Sequence, residues 1–205
     1  MSIVKLQISM SLDSFVAGPN QSLDNPLGEG GMRLLEWMTG AARIEPPNAV
    51  DAEAYAHIFD NVGAVVMGRK MFGGGDGPWD HGWTGWWGED PPYHTPVFVL
   101  SHHEREPLPM AGGTTFHFVT GGLDAALKLA HEAAGGRDVA VSGGASTVRQ
   151  CLAAGLLDEV QLDIVPVLMG SGEQIFTELA HVRFEQVSAT VGANATHIRY
   201  RVLRG

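Results

Sequence analysis

Three short segments bring together residue types that can hold an anion. Val139-Ala140-Val141-Ser142-Gly143-Gly144-Ala145-Ser146-Thr147 runs from a buried-strand pattern through two glycines into a helix start. Glycine lets the backbone approach a ligand closely, and the unpaired amides of a helix N-terminus attract phosphate, so this segment reads as a diphosphate cradle. A plain tight turn would use the same residues. Val66-Met67-Gly68-Arg69-Lys70-Met71 delivers two adjacent cations to the end of a second apolar run, where a surface salt bridge is the ordinary alternative. Val99-Leu100-Ser101-His102-His103 ends a third, with Arg105 close behind. Ligands collect at the carboxyl ends of strands in open α/β sheets, so three such ends carrying glycine, hydroxyl and cationic groups point to one nucleotide site. The cations favour a 2′-phosphate, and so NADPH over NADH.

Two carboxylates are candidates for a reaction at that site. Asp13 lies in Ser11-Leu12-Asp13-Ser14, the turn-forming group that opens the loop after the first strand; a turn-capping aspartate is the equal alternative. Glu36 stands beside Trp37 on a short helical pattern, where a solvated helix residue is the simpler reading. Between Gly73 and Pro96 lie four of the five tryptophans in a segment without period. Trp79, His81, Trp83, Trp86, Trp87, Tyr93 and His94 there read as an aromatic lid that stacks on a flat substrate, with Trp79, Trp83, Trp87 and His94 as the substrate contacts, or as a hydrophobic plug or dimer contact. Ser142 also resembles the nucleophile of a hydrolase elbow, with Asp163, His181 and His197 following in the right order, although His197 falls within a strand pattern. His81, His94, His102 and His103 have no metal-ligand spacing, so no metal is expected.

The elements that must position these groups follow from period. Ile3 to Met10 begins the chain as a strand, and helical patterns cover Met32 to Met38 and Asp51 to Asn61, the latter with Ala54, Ile58 and Val62 on one face. Gly63 to Gly68 is apolar throughout, as a strand buried on both sides must be. Strands are expected at Val97 to Ser101, Thr115 to Thr120 and Asp138 to Ser142, with helices at Leu123 to Ala134 and Ser146 to Ala154. Such alternation means a largely parallel sheet. Beyond a strand with Val160, Leu162 and Ile164 alternating, His181 to Thr190 and Ala195 to Leu203 flank the turn-rich Val191-Gly192-Ala193-Asn194, so the sheet is expected to end in an antiparallel hairpin.

Composition narrows the class. A chain of 205 residues with 44% hydrophobic content supports one domain spanning 1–205. A net charge of −10 with 13 Lys plus Arg argues against a nucleic-acid partner. With no membrane-length apolar run, no signal-peptide pattern and Cys151 alone, within an apolar helical pattern, the chain reads as cytosolic.

Taken together, Ser11-Leu12-Asp13, Met67-Gly68-Arg69-Lys70, Ser142-Gly143-Gly144-Ala145, Gly155-Leu156-Leu157-Asp158-Glu159 and Pro166-Val167-Leu168-Met169-Gly170-Ser171-Gly172 resemble the dihydrofolate-reductase-like superfamily, in particular the reductase domain of the riboflavin-biosynthesis deaminase/reductase and its stand-alone relatives. The resemblance covers nearly the whole chain. It implies a three-layer α/β fold, NADPH across the strand ends, hydride transfer to a heterocycle, and a homodimer. By position it implies that Gly68, Arg69 and Lys70 hold the adenosine end, with Leu100, Ser101 and His102 around the 2′-phosphate and Thr120 and Gly121 bordering the adenine. Gly143, Gly144, Ala145, Ser146 and Thr147 would cradle the diphosphate; Ser9, Val16 and Ala17 would touch the nicotinamide side. Glu36 is offset from the place where true dihydrofolate reductases carry their carboxylate, so the implied substrate is a small heterocycle of pterin, ribosylaminopyrimidine or similar type. A non-catalytic NADP(H)-binding protein on the same fold is the other reading.

Overall fold

The computed structural model describes residues 2–39, 48–73, 75 and 77–203. The first strand, β1 (Val4–Ser11), is followed by the short β2 (Phe15–Ala17), and the chain then turns into a 3₁₀ segment (Gly31–Leu35) that continues as α1 (Glu36–Thr39). Next come α2 (Ala49–His57), β3 (Val62–Gly68), α3 (Arg69–Phe72), β4 (Pro96–Leu100), the two-residue β5 (Leu108–Pro109), β6 (Thr115–Val119) and α4 (Gly122–Ala134). The remainder is β7 (Asp138–Val141), α5 (Ala145–Ala153), β8 (Glu159–Val165), β9 (Glu173–Gln174), β10 (Arg183–Val191) and β11 (Thr196–Leu203).

Nine strands form one sheet in the order β10-β11-β8-β1-β7-β3-β4-β6-β5. Its centre is parallel from β8 through β6, and β10–β11 is the expected antiparallel hairpin at one edge. β3 is buried along its whole length because both faces are covered, which its continuous apolarity anticipates. Ala64 and Val66 pack in one core with Ala126, Ala130, Val148 and Leu152 of α4 and α5. The alternate residues Val65 and Met67 face a second core with Phe72, Trp79, Val97, Val99 and Phe116. Cys151 is buried in the first core, and burial pushes its thiol up to about 12, so it is an inert packing group.

Differences from the expected elements are local. The Met32 to Met38 pattern becomes 3₁₀ before it becomes α, and α2 stops at His57 rather than Asn61. Asn48 starts α2 as an N-cap, its side chain accepting from the Asp51 amide at 3.0 Å. Lys5 ends it, its buried ammonium donating to the carbonyls of His57 (3.2 Å) and Asp60 (2.6 Å) from across the sheet. The pattern therefore outran the helix because a tertiary contact, invisible in local period, closes its carboxyl end.

Candidate active site

Because β1, β7, β3, β4 and β6 are parallel, their carboxyl ends open on one edge of the sheet, and a cleft of about 1050 Å³ runs along it. Of the sixteen cofactor positions expected from the sequence, Ser9, Val16, Ala17, Gly68, Arg69, Lys70, Leu100, Ser101, His102, Thr120, Gly143, Gly144, Ala145, Ser146 and Thr147 all line this cleft. Gly121 does not; its neighbour Gly122 does.

The glycine turn has a physical cause. The Gly68 amide donates to the Gly143 carbonyl at 2.7 Å, and a β-carbon on Gly68 would lie 2.5 Å from Thr147 Oγ1, so β3 and the turn after β7 can approach this closely only without a side chain. Gly143 has φ 98°, a left-handed value that also demands glycine. At Gly144 the situation reverses: a β-carbon would meet no protein atom within 4 Å, so the space beside it is open. Gly144 caps α5 without a side-chain bond, leaving the helix's first amides facing that space.

Arg69 is held from three sides. Its guanidinium lies 3.6 Å from the centroid of the Trp79 ring, donates to the Gly77 carbonyl at 2.7 Å, and reaches Ser101 Oγ at 3.5 Å. The Trp79 ring is fixed in turn by its Nε1 donating to the His103 carbonyl at 2.9 Å and by edge contacts with Phe72 and Phe118. Trp79 is thus a buried platform beneath Arg69, not a lid. Trp83 also lies away from the cleft, its Nε1 donating to the Phe72 carbonyl at 3.1 Å. His94 is turned outward, its Nδ1 2.8 Å from the Gly112 carbonyl, at a left-handed φ of 49°. Of the expected aromatic group Trp86, Trp87 and Tyr93 reach the cleft, Trp87 stacked on Phe116 at 5.7 Å. The segment is mainly the plug that completes the second core, because a sheet face covered only by the four-residue α3 needs large apolar side chains from the loop that follows it.

Neither expected carboxylate lines the cleft. Glu36 opens α1, whose Met38 and the preceding Leu35 do face it. Asp13 is saturated by donors: Ser11 Oγ at 2.6 Å, the Met169 amide at 3.0 Å and the Gly170 amide at 2.7 Å. The Ser11 hydroxyl and the Gly170 and Met169 amides hold its carboxyl down at about 2. Asp13 therefore latches the loop after β1 to the segment before β9. Its low folded value means that this contribution is present above the ordinary carboxylate range and is lost as pH falls through about 2. Asp13→Asn is expected to melt at a lower temperature than the parent at neutral pH, with the gap closing as thermal melts are repeated toward pH 2.

Several cleft residues carry no motif that would have singled them out. Tyr55, Ile58 and Phe59, on and just after α2, line the cleft together with Trp86 and Trp87. Gln7 and Asp163 line it from the adjacent parallel strands β1 and β8, where Gln7 is in register with Gln161 and Ser9 with Asp163. Gln7 sits in a β1 residue pattern that would equally suit an outward-facing polar residue, and only the sheet order reveals its position. The hydrolase constellation does not form. His197 Nδ1 is 2.7 Å from Asp163, but its Nε2 faces Asp51 at 3.1 Å rather than Ser142, and His181 is exposed. Among the described residues no cluster of His, Cys, Asp or Glu could hold a metal ion, and no helix is long and apolar enough to cross a membrane.

A mostly parallel sheet with an antiparallel edge and a cleft along its carboxyl ends is the dihydrofolate-reductase-like α/β fold, and solved structures agree. A protein assigned to riboflavin biosynthesis from Shewanella sp. PV-4 superposes with a TM-score of 0.68 at 24% identity, over 98% of this chain and 99% of its own. The riboflavin biosynthesis reductase Rib7 of Saccharomyces cerevisiae gives 0.56 at 14% identity, over 99% and 89%. Dihydrofolate reductase from Enterococcus faecalis, solved with NADP(H), gives 0.56 at 13% identity, over 98% and 97%. No curated protein sequence matches the chain. The family model of the RibD C-terminal domain matches residues 2–198, and the chain belongs to that family.

Proposed function

We propose that this protein is an NADPH-dependent reductase that delivers hydride to a small, flat nitrogen heterocycle. The observation that carries the reading is the continuity of one cleft between two unlike halves. One half is lined by Gly68, Arg69, Lys70, Ser101 and the Gly143–Thr147 turn; the other is walled by Tyr55, Phe59, Trp86 and Trp87. The open space at Gly144 fits a diphosphate, since phosphate oxygens can take the place that a β-carbon would fill. When bound, NADPH supplies the hydride.

The chain's own residues do the rest. The leading amides of α5 would hold the diphosphate, and Arg69 and Lys70 would grip a 2′-phosphate. Arg69 is pre-oriented by Trp79, so little side-chain freedom is lost on binding. Trp37 Nε1 donates to Ser9 Oγ at 2.8 Å and so fixes the hydroxyl where β1 borders the cleft. The aromatic walls exclude water and orient a planar ring against the nicotinamide.

Purified protein is expected to bind NADPH in preference to NADH and to oxidise NADPH when a suitable pterin or aminopyrimidine is added. Failure to bind either nucleotide would overturn the reading. Arg69→Ala is expected to weaken NADPH by about 1.5–3 kcal/mol and leave NADH nearly unchanged, as loss of a charge-assisted contact to one phosphate should. Equal loss for both nucleotides in a titration would assign Arg69 to folding instead.

A further inference from the structure

The buried His197 lies in the floor behind the substrate half of the cleft, between two carboxylates from different layers. Asp163 of β8 is 2.7 Å from Nδ1, and Asp51 of α2 is 3.1 Å from Nε2; all three side chains are almost inaccessible to solvent. A neutral imidazole has one N–H and would present a lone pair to one of the two carboxylates. With both carboxylates ionised, both contacts are hydrogen bonds only when the ring is an imidazolium.

Each carboxylate also reaches the cleft wall. Asp163 accepts from Gln7 Nε2 at 2.9 Å, and the same amide nitrogen donates to the Ala54 carbonyl of α2 at 2.9 Å. Asp51 accepts from the Ala193 amide at 3.0 Å, tying α2 to the β10–β11 turn. The Trp37 ring sits 5.0 Å from the imidazole and carries the α1 wall.

We propose that His197, as a doubly donating imidazolium, is a positioning residue for the substrate: it clamps α2 to β8 and so sets the spacing of the Tyr55, Ile58 and Phe59 wall from the floor. The inference rests on the reductase reading above. Burial alone would push the imidazole down, but the hydrogen bonds and charges of Asp163 and Asp51 outweigh it and hold the ring above its ordinary value. The clamp is therefore present below the ordinary imidazole range and is released as pH rises through that raised value. Other charged groups facing this region are Arg199, two residues along β11 and near Glu159 at 3.9 Å, His57 on the same Glu159 at 3.5 Å, and Lys5 from β1; Glu36 adjoins Trp37 on α1.

The test uses the full chain with saturating NADPH and lumiflavin as a neutral, flat probe, across about pH 6 to pH 9, with the His197 ring followed by nitrogen NMR. Lumiflavin affinity is expected to fall about tenfold as the His197 ring loses its proton, the loss of roughly one net hydrogen bond, while NADPH affinity stays level. Asp51→Asn separates this from general unfolding. Its amide can donate to a neutral Nε2 while its oxygen keeps the Ala193 amide, so lumiflavin affinity should become independent of pH. A wild-type affinity that is level while the ring deprotonates, or an Asp51→Asn profile that still falls, overturns the proposal. If lumiflavin binds at no pH, the heterocycle reading fails, and hydrogen exchange of the α2 amides decides the clamp. Faster exchange on deprotonation, abolished in Asp51→Asn, supports it; unchanged exchange overturns it.

Discussion

Gly144→Val is expected to abolish NADPH binding while leaving the protein folded, with unfolding stability within about 1 kcal/mol of the parent. A β-carbon at this position meets no protein atom within 4 Å, and the Gly144 φ of −72° lies in the region open to L-residues. It would instead occupy the space beside the first turn of α5, displacing phosphate from several amides at once. Since each hydrogen bond to a charged group is worth about 1.5–3 kcal/mol, losing two corresponds to a hundredfold or larger rise in Kd. Gly68→Ala gives the contrast. There the β-carbon collides with Thr147 Oγ1 at 2.5 Å and crowds the Gly144 amide at 3.4 Å, so the fold should suffer first. Calorimetric titration and denaturant unfolding on both variants check the pair; wild-type affinity in Gly144→Val would move the cradle elsewhere.

Trp79→Ala is expected to cost about 3–5 kcal/mol of stability, as large buried aromatic truncations do. The ring is 8% exposed and packs against Phe72 and Phe118 at centroid distances of 5.7 and 4.8 Å. In protein that still folds, the preference for NADPH over NADH should also shrink, because Arg69 loses the surface that orients it. Trp87→Ala should divide the other way: it is half-buried on the cleft, so a stacked heterocycle should weaken by about 1–3 kcal/mol while NADPH is spared. Urea unfolding and parallel titrations with both nucleotides distinguish the two; a Trp79→Ala protein of parental stability would remove the platform argument.

These two tryptophans show where the sequence was legible and where it was not. Motifs in which one chain segment holds all the chemistry, such as Ser142 to Thr147 or Gly68 to Lys70, could be read directly, because glycine freedom and adjacent cations are local properties. The parallel sheet and its closing hairpin were equally legible from alternation and turn residues. Whether Trp79 or Trp87 faces a ligand depends on how the loop after the short α3 folds back over the sheet, and no local pattern encodes that. Asp13 is a similar case: its position after β1 suggested chemistry, but its partners Met169 and Gly170 stand more than 150 residues away. The Asp51–His197–Asp163 chain joins three distant segments; the sequence put Asp163 and His197 together only as a hydrolase alternative and gave no sign of Asp51 between them.

The α1 and α2 side of the cleft stands on a foundation of its own. Trp37, Ala54, Val165 and Ala195 form a buried patch there that shares no residue with the aromatic core of Phe72, Trp79 and Phe116, whereas the Trp87 side of the wall packs on Phe116 of that core. Substitutions on α1 and α2 can therefore accumulate without disturbing the dinucleotide seat, which substitutions at Trp87 cannot. A scaffold divided in this way can be retargeted from one ring system to another while its reducing equivalent stays the same, which makes α1 and α2 the segments to vary in any attempt to redirect its selectivity.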